Sequence, residues 1–413
     1  MKHKETIGMT RRAIIGAARR ARTEADRVLS QTTNKRKPRR IAQGNEPART
    51  AETRTQVILP AAYGSMGDDA LRAGTEEGAN ELNERVDLWM PGTAENWPAG
   101  HESVQSLEPL RIGQTGVLNR RALERFGRSD TTVIGADTLG GNYLHGFLGY
   151  RVAALRQAAF NGRRAKLANF SMGASPTPTA LKLLRSLPSD VELWARDELS
   201  RERTQTFLQR DVRVAPDVGA LALATPTRTA KDIAERHATR GYVTLVPNAH
   251  FETLGWFTRT ALVDFWVEVG VALSADYGVV LLPHDVRGRP GDVALSEEIS
   301  KALERRVGEK VDVFTPQTAA QAKYVLQGSK GVVSARMHAC VGALASGVPC
   351  VGLEYLGKFA GQFAWYGELG SVVPLESAVD AQTVLSAFRS LPSRSTGTWT
   401  SPVTAQSIGW LKS

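Results

Sequence analysis

The sequence predicts an α/β fold with two parallel-sheet domains, preceded by a basic, disordered tail. Short apolar runs rich in β-branched residues alternate with longer segments of helical periodicity. This alternation is typical of parallel sheets with helices on their faces. A stretch rich in Thr, Pro and Arg at 224–229 separates two such series. The 413-residue length is sufficient for both domains.

The two series define the predicted domains. We predict an N-terminal domain at 57–228, with strands at Val57–Leu59, Val86–Met90, Thr132–Ile134, Lys166–Ala168, Glu192–Trp194 and Val212–Val214. We predict a C-terminal domain at 229–413, with strands at Val243–Val246, Val279–Leu282, Val311–Phe314, Val332–Ser334 and Cys350–Leu353. Ligands of such sheets bind beyond the carboxyl ends of the strands, so the loops there are the expected place for function.

Residues 1–56 form the predicted tail. They hold fifteen Lys and Arg against five Asp and Glu, so the whole net charge of +10 lies there and the rest of the chain is neutral. The tail has no aromatic residue and cannot bury a core, which favours a solvated, disordered segment. Apolar residues at spacings of three and four from Ile14 to Val28 would also allow a helix that contacts an anionic membrane. A nucleic-acid partner is disfavoured because no aromatic side chain is available to stack on bases.

Composition excludes several classes of protein. No apolar run approaches the roughly 18–20 residues that span a bilayer. Two cysteines, Cys340 and Cys350, exclude a disulfide framework and favour a reducing compartment. We find no export signal and expect a cytoplasmic protein, peripheral on the membrane if the tail binds there. No His or Cys cluster has metal-ligand spacing, so neither a metal nor a cofactor is expected.

Two loops of the first domain carry candidate substrate-binding residues. The segment Gly64–Asp69 has two glycines that permit a tight turn at a helix start, where backbone N–H groups can bind an anion or a sugar oxygen. Gly67 and Asp68 are therefore candidates, although an aspartate there is also explained by helix capping alone. Asp137 follows the strand at Thr132–Ile134, where it either binds hydroxyls or holds a turn.

Three further strand ends carry polar residues. Arg196 and Asp217 each follow a short strand and are candidates for substrate binding, with helix capping or an ion pair as the alternative role. His284 lies at the carboxyl end of the strand at Val279–Leu282. It is a candidate catalytic residue, although a surface or supporting position explains a histidine there equally well.

The densest group of candidates is Arg336, His338 and Lys358. The first two follow one strand and open a helix, and Lys358 follows the next strand. An arginine fork, a lysine point charge and helix N–H groups together form an anion site. Residues two apart on a helix point about 200° from each other. Arg336 and His338 therefore share a cleft only if the turn is not yet helical at Arg336.

In their order along the chain, these segments resemble the polysaccharide pyruvyl transferase family, over Val57 to about Gly367. The matching segments are Gly64 to Asp68, Arg196-Asp197-Glu198-Leu199-Ser200, Pro216-Asp217, Pro283-His284, Arg336-Met337-His338, Gly347-Val348-Pro349 and Tyr355-Leu356-Gly357-Lys358. One departure is Gly135-Ala136-Asp137, which stands where the family often has three glycines.

The resemblance implies two Rossmann-like domains facing across a cleft, as in two-domain glycosyltransferases. It also implies transfer of a pyruvyl group from phosphoenolpyruvate to hydroxyls of a sugar in a cell-surface polysaccharide or its lipid-linked precursor, with the acceptor on the N-terminal and the donor on the C-terminal domain. Arg336 and Lys358 would bind the donor. His338 is the first choice for the general acid and His284 the second. Asp68 and Asp137 are candidates for the group that accepts the hydroxyl proton.

Two other functions are compatible with the residues. One is a sugar-nucleotide-dependent glycosyltransferase of the same architecture, which would bind a diphosphate at the same helix start. The other is a non-catalytic glycan-binding protein. The donor that stabilises the protein distinguishes a glycosyltransferase from a pyruvyl transferase. A ligand bound only to the native state raises the melting temperature.

Overall fold

Two parallel sheets form the framework of the protein. The structure, a computed structural model, describes residues 54–60, 63–92, 97, 101, 103–111, 117–137, 139–140, 146–288, 291–355, 357–375, 380–394, 401 and 407–411. Within these residues one sheet has seven strands and the other has six, and all strand pairs of both are parallel.

The first sheet has the strand order β3-β2-β1-β4-β5-β6-β7. Its strands are β1 Thr55–Ile58, β2 Val86–Met90, β3 Val104–Ser106, β4 Thr131–Ala136, β5 Ala165–Phe170, β6 Glu192–Ala195 and β7 Arg213–Val214. The helices between them are α1 Met66–Glu81, α2 Arg120–Arg128, α3 Gly146–Phe160, α4 Pro178–Arg185 and α5 Glu198–Leu208, with short 3₁₀ helices at Glu108–Leu110 and Val218–Leu221.

The second sheet has the strand order β10-β9-β8-β11-β12-β13. Its strands are β8 Tyr242–Val246, β9 Gly278–Leu281, β10 Asp312–Val313, β11 Gly331–Ser334, β12 Cys350–Glu354 and β13 Gly370–Pro374. Its helices are α6 Arg228–Arg236, α7 His250–Thr253, α8 Arg259–Ser274, α9 Asp292–Val307, α10 Ala319–Gly328, α11 Met337–Ala345, α12 Phe359–Phe363 and α13 Ala381–Ser390, with a 3₁₀ helix at Gly367–Leu369.

Hydrophobic clusters cover both faces of each sheet. Two clusters flank the first sheet and two flank the second. One cluster of the second sheet also contains Met66 and Ala220 from the first half of the chain. The two domains therefore share part of a core, which fixes the strand ends of one domain against those of the other.

The predicted α/β fold with two domains is confirmed, and most expected strands are found within one or two residues of their predicted bounds. Sequence reasoning missed β3 and β13. Both are short edge strands, and their sequences, Val-Gln-Ser and Gly-Ser-Val-Val-Pro, lack an apolar run long enough to be recognised.

The ends of the described chain differ from the predicted division in two respects. Strand β1 begins at Thr55, inside the predicted tail 1–56, while residues 1–53 lie outside the described residues. At the other end, Ile408 and Trp410 pack in a cluster of the first sheet, and the Trp410 carbonyl accepts a hydrogen bond of 2.9 Å from Lys166 Nζ. The stretch 407–411, which we predicted to belong to the second domain, thus packs on the first.

No helix in the described part of the chain is long and apolar enough to cross a membrane.

Candidate active site

Both sheets reverse their strand order at one point, and the candidate residues follow the strands there. The order changes direction between β1 and β4 in the first sheet and between β8 and β11 in the second. Ligands of open parallel sheets bind in the crevice at such switch points. The glycine loop follows β1, Asp137 follows β4, and Arg336 follows β11. The fold therefore brings these loops to facing edges.

The glycine loop packs directly against the second domain. The N–H of Met66 donates to the carbonyl of His284 at 3.0 Å, and the N–H of Val286 donates to the carbonyl of Gly64 at 2.7 Å. Gly64 has a φ of +104°, and a Cβ there would lie 2.3 Å from Cγ of Arg287. Glycine is therefore required at 64 both for its backbone conformation and for the close approach of Arg287.

His338, on the first turn of α11, takes its contacts from the other domain. Its Nε2 lies 3.1 Å from Nη1 of Arg196 and 3.3 Å from Oδ2 of Asp217. An arginine can only donate and a carboxylate can only accept. Nε2 therefore accepts from Arg196 when it is unprotonated and donates to Asp217 when it carries a proton, so His338 has a partner in both states.

The other edge of His338 faces the start of α1. A Cβ on Gly67 would lie 2.4 Å from Nδ1 of His338. This is far inside van der Waals contact, so only glycine at 67 leaves room for the ring. The role of Gly67 in the structure is thus to admit His338, in addition to the predicted role of its backbone N–H.

Arg196 is fully buried at the end of β6. Its Nε donates to Ser171 Oγ at 2.8 Å, and its Nη1 donates to Asp217 Oδ2 at 2.9 Å. Its remaining nitrogen, Nη2, is buried and has no hydrogen-bond partner among the described residues. A buried guanidinium N–H without an acceptor is costly, which makes Nη2 a donor available to an anionic ligand.

The second domain also holds the backbone of Arg196. Nε2 of Gln362 and Nε1 of Trp365 each donate to the Arg196 carbonyl at 3.1 Å. Gln362 Nε2 also lies 3.1 Å from Oδ2 of Asp197, which caps α5 through the N–H of Ser200. These contacts fix Arg196 against α12.

Asp217 and Asp137 are both held as carboxylates by cations. Burial opposes ionisation of Asp217, but His338 and Arg196 outweigh it and hold its pKa well below the usual range. Burial likewise opposes ionisation of Asp137, whose pKa is lowered chiefly by Lys358 and then by Arg196. Lys358 Nζ donates to Asp137 Oδ2 at 2.5 Å. The predicted donor-binding lysine thus forms an ion pair across the domains.

Arg336 directs its fork to a buried carboxylate of its own domain. Its Nε and Nη2 donate to the two carboxylate oxygens of Asp292 at 2.9 and 2.7 Å, and its Nη1 lies 3.8 Å from Asp285 Oδ2. Burial would lower the pKa of Arg336, but Asp292 raises it. The backbone of Arg336 is extended, with φ −117° and ψ 115°. The condition for sharing a cleft with His338 is met, yet the two side chains bond to different partners.

His284 is a buried, neutral imidazole. Burial, with the positive charge of His338 and Arg336 nearby, lowers its pKa to about 3. It lies within electrostatic range of both residues, beside the glycine loop. At neutral pH it can offer a hydrogen bond but no positive charge.

Asp68 differs from the other predicted carboxylates. It lies in the first turn of α1, where its N–H donates to Ser65 Oγ at 3.3 Å. Burial raises the pKa of Asp68, an effect that Arg287 opposes and Asp137 reinforces.

The structure thus joins four predicted residues, Gly67, His338, Arg196 and Asp217, in one set of contacts. Asp137, bound to Lys358, lies within electrostatic range of Arg196 and His338. Sequence reasoning missed Ser171, Asp292 and Gln362, which hold these side chains. Their sequence signal is weak, because a single polar residue after a strand or within a helix start has many ordinary roles. Among the described residues, no group of three His, Cys, Asp or Glu side chains is placed to hold a metal ion.

Solved structures of two UDP-GlcNAc 2-epimerases have a similar fold. UDP-GlcNAc 2-epimerase from Methanocaldococcus jannaschii matches with a TM-score of 0.57 at 12% identity, over 87% of this chain and 98% of that one. A putative UDP-N-acetylglucosamine 2-epimerase from Listeria monocytogenes matches with a TM-score of 0.57 at 11% identity, over 88% and 95%. At such identity the similarity concerns the fold alone, and it confirms the predicted glycosyltransferase-like architecture of two domains.

No curated protein sequence matches the chain. The family model of polysaccharide pyruvyl transferases matches residues 66–357, which is more than half of the chain and includes every candidate residue described above except Lys358, which follows it directly. The chain therefore belongs to the polysaccharide pyruvyl transferase family and is a transferase of polysaccharide biosynthesis.

Proposed function

We propose that the protein transfers the pyruvyl group of phosphoenolpyruvate to two hydroxyls of a sugar, in a cell-surface polysaccharide or its lipid-linked precursor. The product is a pyruvate ketal, and phosphate is released. The observation that carries this proposal is the contact of His338 with Arg196 at the domain boundary, where the buried Arg196 keeps one donor without a partner.

The donor needs cations, because it carries both a carboxylate and a phosphate. Nη2 of Arg196 is available to donate a hydrogen bond to phosphoenolpyruvate, and Lys358 supplies a second positive charge on the opposite domain. Arg336 already gives two of its N–H groups to Asp292, so we assign it mainly to holding the loop before α11. Charge-assisted hydrogen bonds of the Arg196 kind contribute about 1.5–3 kcal/mol each.

The donor must also be protonated at its methylene carbon before a hydroxyl can attack. We assign this step to His338, because its ring is held between Arg196 and Asp217 and its side chain is 15% exposed. A positioned general acid is worth about 10² to 10⁴ in rate. His284 is the weaker candidate, since its pKa of about 3 leaves it without a proton to spare at neutral pH.

Phosphate release from phosphoenolpyruvate in the presence of nitrophenyl glycosides or lipid-linked sugars tests the function. His338→Gln should lower kcat by about 10² or more and leave phosphoenolpyruvate affinity within a few fold. His237→Gln is the matched control, because His237 pairs with Asp312 outside the cleft. It should change turnover per folded molecule little.

One result would overturn the proposed function, and another would overturn the role of His338. One is a melting temperature raised by a sugar nucleotide and not by phosphoenolpyruvate, which would favour a glycosyltransferase. The other is an unchanged kcat in a folded His338→Gln protein, which would remove His338 from the chemistry.

The remaining proposals concern location and rest on the sequence. We propose action in the cytoplasm, where phosphoenolpyruvate is available, with contact between the basic tail 1–56 and anionic lipid. Sedimentation of the full chain with phosphatidylglycerol vesicles tests that contact, and its absence at low salt would contradict it.

A further inference from the structure

Nearly all carboxylates around the cleft accept hydrogen bonds from other groups of the protein. Asp69 accepts from Arg72, from the N–H of Ala319 and from His101, and Asp137 accepts from Lys358. Similar bonds to an arginine, a side-chain amide or backbone N–H groups hold the other four, which are Asp197, Asp217, Asp285 and Asp292. These carboxylates are therefore committed to holding the structure.

Asp68 is the exception in the described part of the chain. Its carboxylate forms no ion pair with another described residue, and the hydroxyl of Ser65, which accepts from the Asp68 N–H, lies beside it. Burial raises its pKa above the usual range, an effect that the nearby charges of Arg287 and His338 only partly offset. A carboxylate in this state is a better proton acceptor than its paired neighbours.

The position of Asp68 is as informative as its lack of a partner. It follows Gly67, the residue whose Cα lies against the His338 ring. His338 and Asp137 both lie within electrostatic range of its carboxylate. Asp68 therefore lies beside the proposed acid, on the domain predicted to hold the acceptor.

We propose that Asp68 is the general base that accepts the proton of the attacking sugar hydroxyl. The inference rests on the proposed function. In the first step the hydroxyl oxygen forms a bond to C2 of phosphoenolpyruvate and its proton moves to Asp68. The electron pair of the C2–C3 double bond takes a proton from the ring N–H of His338, which makes C3 a methyl group.

The second step returns both residues to their starting state. The second hydroxyl forms its bond to C2 as the bond from C2 to the phosphate oxygen breaks. The proton of this hydroxyl moves to His338, and Asp68 gives its proton to the departing phosphate. Two hydroxyl protons thus account for one proton on C3 and one on phosphate. Between the two steps Asp68 must stay protonated, and a raised pKa favours the protonated carboxyl.

A pair of adjacent substitutions tests the role of Asp68. Asp68→Asn should lower kcat by about 10² to 10⁴ with phosphoenolpyruvate and a nitrophenyl glycoside accepted by the wild type. It should not lower the melting temperature, because the carboxylate of the half-buried Asp68 forms no ion pair with another described residue and asparagine has nearly the same size. Asp68→Glu, which keeps a carboxylate, should retain more activity than Asp68→Asn.

Asp69→Asn is the matched control. It should lower the melting temperature, because Asp69 joins Arg72, His101 and Ala319, and it should leave kcat per folded molecule within a few fold. Folded Asp68→Asn protein with near wild-type kcat would overturn the role of Asp68 alone. A wild-type protein that releases no phosphate with any acceptor would instead overturn the proposed function, and the inference with it.

Discussion

At the scale of single residues, the position of His338 depends on what its neighbours lack. Gly67 has no side chain, and this absence leaves space for the imidazole at the start of α1. On the opposite edge, Arg196 and Asp217 supply a donor and an acceptor to the same nitrogen. A small change on the first domain should therefore move a side chain of the second.

We predict that Gly67→Ala disturbs His338 more than it disturbs the fold. The new methyl group would lie 2.4 Å from Nδ1, so the ring must shift away from its partners. We expect kcat for phosphate release to fall by at least tenfold, since proton transfer depends closely on geometry. The melting temperature should fall by a few degrees at most.

Gly162→Ala is a suitable control, because a Cβ there meets nothing within 4 Å, although the positive φ of +72° adds its own modest cost in stability. Unchanged turnover in Gly67→Ala would show that the position of the ring is not critical.

The sequence identified most of these residues but not their partners. Strand ends and residue types pointed to His338, Arg196 and Asp217 separately, because local patterns can be read along the chain. The bonds of His338 to the other two join residues 142 and 121 positions apart. Such contacts follow from how two domains pack, and a single sequence contains no direct signal of that packing.

At the scale of elements, the turn between β11 and α11 is fixed by the start of α9. Asp292, fully buried at the first position of α9, accepts from both the Ala249 and Asp285 N–H groups and from the Arg336 fork. Three loops at the carboxyl edge of the second sheet thus meet at one carboxylate. The sequence predicted that the Arg336 fork binds the anionic donor, whereas in the structure the fork holds the carboxylate of Asp292.

We predict that Arg336→Lys destabilises the protein. An ammonium keeps the charge but cannot reproduce two parallel hydrogen bonds to Asp292, so we expect a loss of about 1–3 kcal/mol. Urea unfolding measures it. Arg213→Lys is the control, because the Arg213 pair with Glu192 is largely exposed and should contribute little. An unchanged stability together with weaker phosphoenolpyruvate binding would restore Arg336 to the donor site.

At the scale of the whole molecule, burial of a neutral histidine links stability to pH. The imidazole of His284 has a pKa of about 3 in the folded protein and about 6.5 in an unfolded chain. Between these values the unfolded chain binds a proton that the folded protein does not. Stability must therefore fall as the pH is lowered from about 6.5 toward 3.

We predict a smaller acid sensitivity in His284→Gln. Between pH 7 and pH 5 the free energy of unfolding of the wild type should fall by about 1–2 kcal/mol more than that of the variant. The expected slope is about 1.4 kcal/mol for each pH unit below about 6.5. Urea unfolding at the two pH values measures the difference, and groups common to both proteins cancel. Equal losses in the two proteins would mean that His284 does not carry this dependence.

The contact of Gly67 with His338 has a consequence for the timing of catalysis. Any separation of the two halves that admits substrates would take His338 away from Arg196, Asp217 and the start of α1. Admission of substrates and proton transfer would then exclude each other in time. A phosphoenolpyruvate molecule that arrives before the sugar would meet an unassembled acid, and would be protected from wasteful hydrolysis by water until its acceptor is in place.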